Sequence, residues 1–290
     1  MAWAALQPDR WPLPLAAFPA DAALVGGAVR DALLQRLGPE PDLDLVVDGD
    51  AIALCRQLSK RHGGSAVVLD AERSIARLVI QGWSVDLARQ EGGNLRNDLQ
   101  RRDYTVNAMA LPLADQTALV DPHGGLHHLT QRRLVAIAES NLLDDPLRLL
   151  RGIRLANELG FQLDPTSEAW IQRHRQQLQT VAGERVLAEL EKLAHSPAGE
   201  QGLLQCLHWG LLSPWQGGEP CRSLSQLNRT QAEAIGLSEN DADLAVPLAR
   251  LAAVLEAPGL KALRSSRKLQ QRVERLRRWR SRLALQQPAE

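Results

Sequence analysis

Two kinds of hydrophobic patterning divide the chain. In the first half, short apolar runs are closed by glycine, proline or aspartate; in the second, leucine and alanine recur at helical spacing among glutamine, glutamate and arginine. The first pattern predicts strands at 22–25, 43–47, 66–69, 75–80 and 83–87, with one more at 133–137. Between them the spacing predicts helices over 28–37, stopped by Gly38-Pro39, and over 52–61, ending near Gly63-Gly64. From residue 141 onward the reading is helical, with breaks at Gly160, Gly183, 196–199 and 217–220. The expected architecture is α+β: a mixed region over 1–140, then helical segments over 141–200 and 201–290. There is no internal repeat, and only the last few residues read as fraying.

Composition adds mainly exclusions. A chain of 290 residues can bury a sizeable core in two or three domains. Lys plus Arg and Asp plus Glu both total 34, so any nucleic-acid surface must be a local patch. Cys55, Cys206 and Cys221 form no C-x-x-C pair, which argues against a zinc cluster or a disulfide framework. No run is apolar enough to span a membrane, and Pro8, Asp9 and Arg10 interrupt any leader-like start. The expectation is a cytoplasmic protein without a membrane partner.

Four clusters carry candidate chemistry. In Leu24-Val25-Gly26-Gly27-Ala28-Val29-Arg30-Asp31, a strand ends in two glycines and a helix begins. Glycine lets the backbone approach a ligand, and Arg30 has a guanidinium suited to phosphate. The plain alternative is a tight turn with a surface ion pair. Asp42 and Asp44 sit two apart on a strand, hence on one face. Carboxylates so placed repel unless cations stand between them, and Mg²⁺ prefers such oxygens. Asp86, in another strand, could add a third acid; read singly, all three are also ordinary solvated acids. In the third cluster, Arg101-Arg102-Asp103 precedes an apolar stretch read as a helix. Arg102 could bind phosphate, and Asp103 could take a ribose hydroxyl or cap that helix. In the fourth, Asp144-Asp145-Pro146 opens a helix on which Asp145, Arg148, Arg151 and Arg154 form a drifting polar stripe. An acid and an arginine one turn apart could present acceptor and donor to a base edge, or simply cap and solvate the helix.

Taken together and in order, these segments resemble the class II tRNA nucleotidyltransferase and bacterial poly(A) polymerase family. The resemblance includes Asp121-Pro122-His123-Gly124-Gly125 as the head-to-neck turn and Glu184 to Leu190 as the last neck motif. It implies a nucleotidyltransferase head with a small antiparallel sheet and helices, followed by an all-helical neck and body or tail. It implies that Asp42 and Asp44 bind Mg²⁺, with Asp86 as the third catalytic acid. By the same resemblance Gly26, Gly27 and Arg30 meet the triphosphate, Arg102 and Asp103 position ribose and phosphates, Asp145 and Arg148 select the base, and Arg151 and Arg154 support the nucleotide. The implied partners are the tRNA 3′ acceptor end, CTP and ATP.

Two features bear on which nucleotides are added. Only residues 90–100 separate the third acid from the Arg102 segment, where many relatives carry a longer loop; that shortness resembles enzymes that add the two C residues and stop, the alternative being a full CCA-adding enzyme with a compact loop. A basic helix is expected over 261–282, with Lys261, Arg264, Arg267, Lys268, Arg272, Arg275, Arg277, Arg278, Arg280 and Arg282 over apolar Leu263, Leu269, Val273 and Leu276. It could track an RNA backbone or be a solvated face. The competing readings are a poly(A) polymerase, a catalytically silent RNA-binding protein of the same fold, and an unrelated small-molecule nucleotidyltransferase.

Overall fold

The computed structural model describes residues 2–215 and 224–286, with side chains through 278. The expected break at 217–220, Cys221, the last four residues and the side chains of Arg280 and Arg282 lie outside the described residues. The chain forms two compact units, 1–131 and 132–290.

The first unit contains strands β1 (Ala23–Val25), β2 (Leu43–Val47), β3 (Ser65–Asp70), β4 (Ile75–Ile80), β5 (Trp83–Arg89) and β6 (Ala110–Pro112). Its helices are α1 (Ala2–Leu6), α2 (Gly27–Leu33), α3 (Ala51–His62), α4 (Leu95–Gln100) and α5 (Gly125–Thr130). The sheet runs β3-β4-β5-β2-β1-β6. It is mixed rather than wholly antiparallel. β2 and β5 pair in parallel, because α3 and the β3–β4 hairpin stand between them in sequence, while the remaining pairings are antiparallel. Alternation along β4, β5 and the first half of β2 divides the sheet, although Val46, on the Asp44 face of β2, is buried as well. Leu43, Leu45, Leu78, Val85 and Leu87 are fully buried, whereas Asp44, Arg77 and Asp86, at the intervening positions, are half-exposed. Such one-sided burial is what an antiparallel-rich sheet permits, and it leaves a polar face open for chemistry.

Two local expectations change. The helix expected over 28–37 is shorter, since Leu34 ends α2 and Gln35 turns to a φ of 55°. The apolar stretch after Asp103 is not a helix. It is a 3-10 turn at Thr105–Asn107 followed by β6, which pairs with β1 through Val25 and Ala110. Local spacing over 104–110 fits a helix, but the sheet edge beside β1 offers ladder partners that one short helix lacks. Gly125 fixes the next turn: a Cβ there would lie 2.3 Å from the Thr105 carbonyl oxygen, and Asp121 caps α5 by accepting from the Gly125 and Leu126 amides.

The second unit is helical except for a two-stranded parallel ladder, β7 (Arg133–Leu134) with β8 (Gln162–Leu163). Its helices are α6 (Glu139–Asp144), α7 (Leu147–Leu159), α8 (Pro165–His174), α9 (Gly183–His195), α10 (Gly199–His208), α11 (Arg229–Ala234), α12 (Glu239–Val254), α13 (Ala257–Ala262) and α14 (Arg267–Gln286). Helices α7, α9, α10 and α12 pack together around Leu149, Leu150, Ile153, Val186, Leu190, Leu193 and Leu203, all fully buried. The expected strand at 133–137 is thus two residues long and belongs to this unit.

A buried arginine ties these helices. Arg250 of α12 is 3% exposed and donates to the carbonyls of Leu227 (2.7 Å), Ala194 (2.8 Å) and Ser196 (2.9 Å), and it pairs with Glu200 of α10. Desolvation pulls its pKa down and Glu200 opposes that shift. Removing one partner leaves the other charge buried and unpaired, which is far costlier than replacing both. Arg250→Met is therefore expected to cost about 3–5 kcal/mol in chemical denaturation, and Arg250→Met with Glu200→Met to recover part of it. A single-variant loss below about 1 kcal/mol would contradict this assignment.

Candidate active site on the open face of the sheet

The site begins with register. Asp44 of β2 lies opposite Asp86 of β5, and Asp86 lies opposite Arg77 of β4, so three charged side chains cross the open face in one row. Asp42, just before β2, has the parity of Asp44 and is exposed. Arg77 closes a two-pronged bridge on Asp86, donating from Nε to Oδ1 at 2.7 Å and from an Nη to Oδ2 at 2.8 Å. Asp44 has no such partner of its own. Burial, then Asp86, raises its pKa from 3.8 to about 6, with Asp42 adding to the rise and Arg102 and Arg77 opposing it.

Gly26 abuts this row. It adopts φ 74°, a conformation that favours glycine, and a Cβ there would lie 3.3 Å from Asp44 Oδ2 and 3.6 Å from an Arg102 Nη. The missing side chain lets the backbone between β1 and α2 lie against the carboxylate. Arg102 is held at that place by Asp98, which accepts from its Nε (3.1 Å) and an Nη (2.9 Å). Asp98 itself is buried at 6% exposure and also accepts from the Glu91 amide.

A second network adjoins. Arg30 of α2 is 6% exposed. It donates twice to Asp31, at 2.9 and 2.8 Å, and once to Asn107 Oδ1 at 2.7 Å. Asn107 in turn donates to Asp103 at 3.3 Å, and the Tyr104 amide donates to the same oxygen at 2.7 Å. Arg30 is thus a buried connector rather than a presented fork. Asp103 does not cap the expected helix; its Oδ1 is engaged by the Tyr104 amide and the Asn107 side chain.

The segment over 90–100 is filled with local structure. A 3-10 turn at Glu91–Gly93 leads into α4, which Asn94 caps through the Asn97 amide. Asn97 donates to the Gly92 carbonyl at 2.7 Å, and Glu91 pairs with Arg73 and Arg101.

In the second unit, Asp145 receives the Leu147 amide at 3.3 Å, so it does cap α7, with Pro146 in helical geometry beside it. Its other oxygen accepts from Arg185 at 2.8 Å. Arg148 donates to the Asn141 carbonyl at 2.8 Å. Arg154 turns inward, 8% exposed, and pairs with Glu189 of α9 at 2.6 Å and with Glu158. Arg151, one turn earlier on α7, is half-buried. On α14, Arg267, Lys268, Arg272, Arg275 and Arg278 are exposed and Val273 is buried beneath them, while Arg277 caps the Ala252 and Leu255 carbonyls at 2.7 and 3.0 Å.

The residues that sequence reasoning passed over are Arg77, Asp98, Asn107 and Arg185. Asn107 and Arg185 stand inside quoted motifs, and Asp98 lies four before Arg102, a helical spacing that could have flagged it. Arg77 could be found only from the β4–β5 register.

Among the described residues, no three His, Cys, Asp or Glu side chains converge as a preformed metal cage. The donor set nonetheless fits a divalent cation. Asp42 and Asp44 supply two carboxylates, Asp44 is destabilised as an anion by burial and then by Asp86, and Mg²⁺ commonly takes one or two carboxylates with water and phosphate completing its shell. No helix of the described residues is long and apolar enough to cross a membrane.

The raised Asp44 pKa has a definite sign. Folding favours its protonated form, so its contribution is fully present below pH 3.8 and is lost as the pH rises through about 6. Without divalent cations, Asp44→Asn should stabilise the first unit by about 2 kcal/mol near pH 8 and by almost nothing below about pH 4. Equal stabilities of wild type and variant near pH 8 would contradict the geometry.

Residues 22–135 match the Poly A polymerase head domain, and residues 160–216 match a domain described as the probable RNA and SrmB-binding site of polymerase A. The chain is 44% identical over 225 residues to a CC-adding tRNA nucleotidyltransferase of Synechocystis, a match covering 78% of this chain and 52% of that protein. It is 40% identical over 204 residues to an A-adding tRNA nucleotidyltransferase of Deinococcus radiodurans, covering 69% of this chain and 46% of the relative. It therefore spans about half the length of these curated relatives. A solved tRNA-processing enzyme with CTP superposes with a TM-score of 0.73 at 26% identity, over 86% of this chain and 72% of that one. Over residues 22–135 the chain carries a Poly A polymerase head domain, and the curated proteins it resembles include CC-adding and A-adding tRNA nucleotidyltransferases.

Proposed function

We propose that this chain adds nucleotides to the 3′ end of tRNA from CTP or ATP without a nucleic-acid template. The observation that supports it most is the row Asp44–Asp86, with Asp42 of like parity and the Gly26 backbone against Asp44. In this reading Asp42 and Asp44 hold Mg²⁺. When bound there, the cation would supply Lewis-acid activation of the attacking 3′ hydroxyl and charge neutralisation for the triphosphate. The chain's own part is positioning. The Gly26-Gly27 backbone lets the phosphates approach Asp44 closely, and Arg102, fixed by Asp98, offers them positive charge. Arg30 holds Asn107, and through it Asp103, ready for the ribose, so Arg30 acts as a positioning residue.

Asp145 and Arg148 serve base choice, with Arg185 orienting Asp145 and Arg154 locking α7 to α9 from the inside. An arginine can donate to the N3/O2 edge of cytosine and a carboxylate can accept its exocyclic amine; adenine offers a similar pair. The basic face of α14 is suited to an RNA backbone.

Within this reading we favour addition of C residues alone. The compact, internally tied segment over 90–100 leaves no long loop between Asp86 and Arg102. The names of the relatives do not decide between C and A. Purified protein with Mg²⁺, CTP, ATP or both, and tRNA transcripts ending before CCA, after C and after CC, should yield two added C residues and no A. Asp42→Ala/Asp44→Ala should abolish extension, and Arg148→Ala should slow it and relax base choice. Efficient addition of the terminal A would overturn the restriction to C, long A tails would indicate a poly(A) polymerase, and no extension by folded protein would overturn the reading itself.

A further inference from the structure

The residue that faces Asp86 has no counterpart in the proposed reaction. Arg77 is on β4, outside every motif that carries the family resemblance, yet it makes the shortest and most complete charge pair on the open face. Both of its bonds to Asp86 have good lengths, and its side chain is 42% exposed against 24% for Asp86. A planar guanidinium in this two-pronged geometry engages both oxygens of the carboxylate. Those are the oxygens a cation beside Asp44 would also use. Arg77 cannot shed its proton at any ordinary pH, and its attraction to Asp86, Asp42 and Asp44 stabilises the charge further. A divalent cation that ligates Asp86 must share these oxygens with the guanidinium and sit beside its positive charge, which opposes its binding.

We infer that Arg77 is a resident counter-ion that competes with divalent cations for Asp86 and thereby sets the cation affinity of the site. The inference rests on the proposed role of Asp42 and Asp44 as cation ligands. Asp86 is then unequal to the other two acids: Arg77 neutralises it when the site holds little cation, and it is released for ligation only as the cation concentration rises. The exposed end of Arg77 gives it room to withdraw along the sheet face toward solvent, so the exchange needs only a side-chain movement.

Direct binding of Mn²⁺ alone, followed by the loss of the free-ion electron paramagnetic resonance signal, separates the possibilities. Arg77→Gln should bind Mn²⁺ about tenfold more tightly than wild type, because a unit charge at close range is removed. Arg77→Lys keeps the charge but not the fork, so it should fall between them. The gain from Arg77→Gln should shrink in an Asp86→Asn background, and circular dichroism should report an unchanged fold. If wild type and Arg77→Gln bind equally, and Asp42→Ala/Asp44→Ala abolishes binding in both, the counter-ion role is overturned while the cation reading stands. If neither shows binding that depends on Asp42 and Asp44, both are overturned together.

Discussion

Electrostatic repulsion between Asp44 and Asp86 is the constraint around which the first unit is arranged. Parallel pairing of β2 and β5 puts the two carboxylates directly opposite on a face where their intervening neighbours are buried. Neither can be satisfied by the backbone, whose groups are spent on the ladder. The surroundings answer in three ways. Arg77 takes Asp86, Arg102 stabilises the Asp44 anion, and Gly26 removes the bulk that would bar a ligand from it. The residual cost shows in the elevated pKa of Asp44, which burial raises first and Asp86 second.

The second unit treats charge in the opposite way. Arg154 and Arg250 are both nearly sealed, and each is matched by a glutamate and further acceptors. Such pairs contribute geometry more than net stability, since desolvation offsets most of the attraction. Arg154 fixes α7 to α9, and Arg185 of α9 reaches Asp145 at the start of α7. The orientation of the acid ascribed to base choice therefore depends on a helix some forty residues away in sequence.

Much of this was legible from sequence where a local signal exists. Alternation with glycine punctuation gave β2, β4 and β5 nearly to the residue, and Asp145 before Pro146 marked the start of α7. Nonlocal pairing was not legible. The stretch after Asp103 has helix-like spacing, yet β1 draws it into β6. The parallel register of β2 with β5 appears only once α3 and the β3–β4 hairpin are folded between them. Arg77 and Asp98 were missed for the same reason, because their meaning lies in what stands opposite them. Arg30 is expected from sequence to meet the triphosphate and Arg154 to support the nucleotide; burial shows each holding its neighbours, which no residue type announces.

A structure of the protein bearing Mn²⁺ and CTP, with manganese located by its anomalous signal, tests the central claim most directly. The account predicts manganese coordinated by Asp42 and Asp44, with the triphosphate against the Gly26-Gly27 backbone. Manganese elsewhere, or CTP bound away from this face, would contradict it.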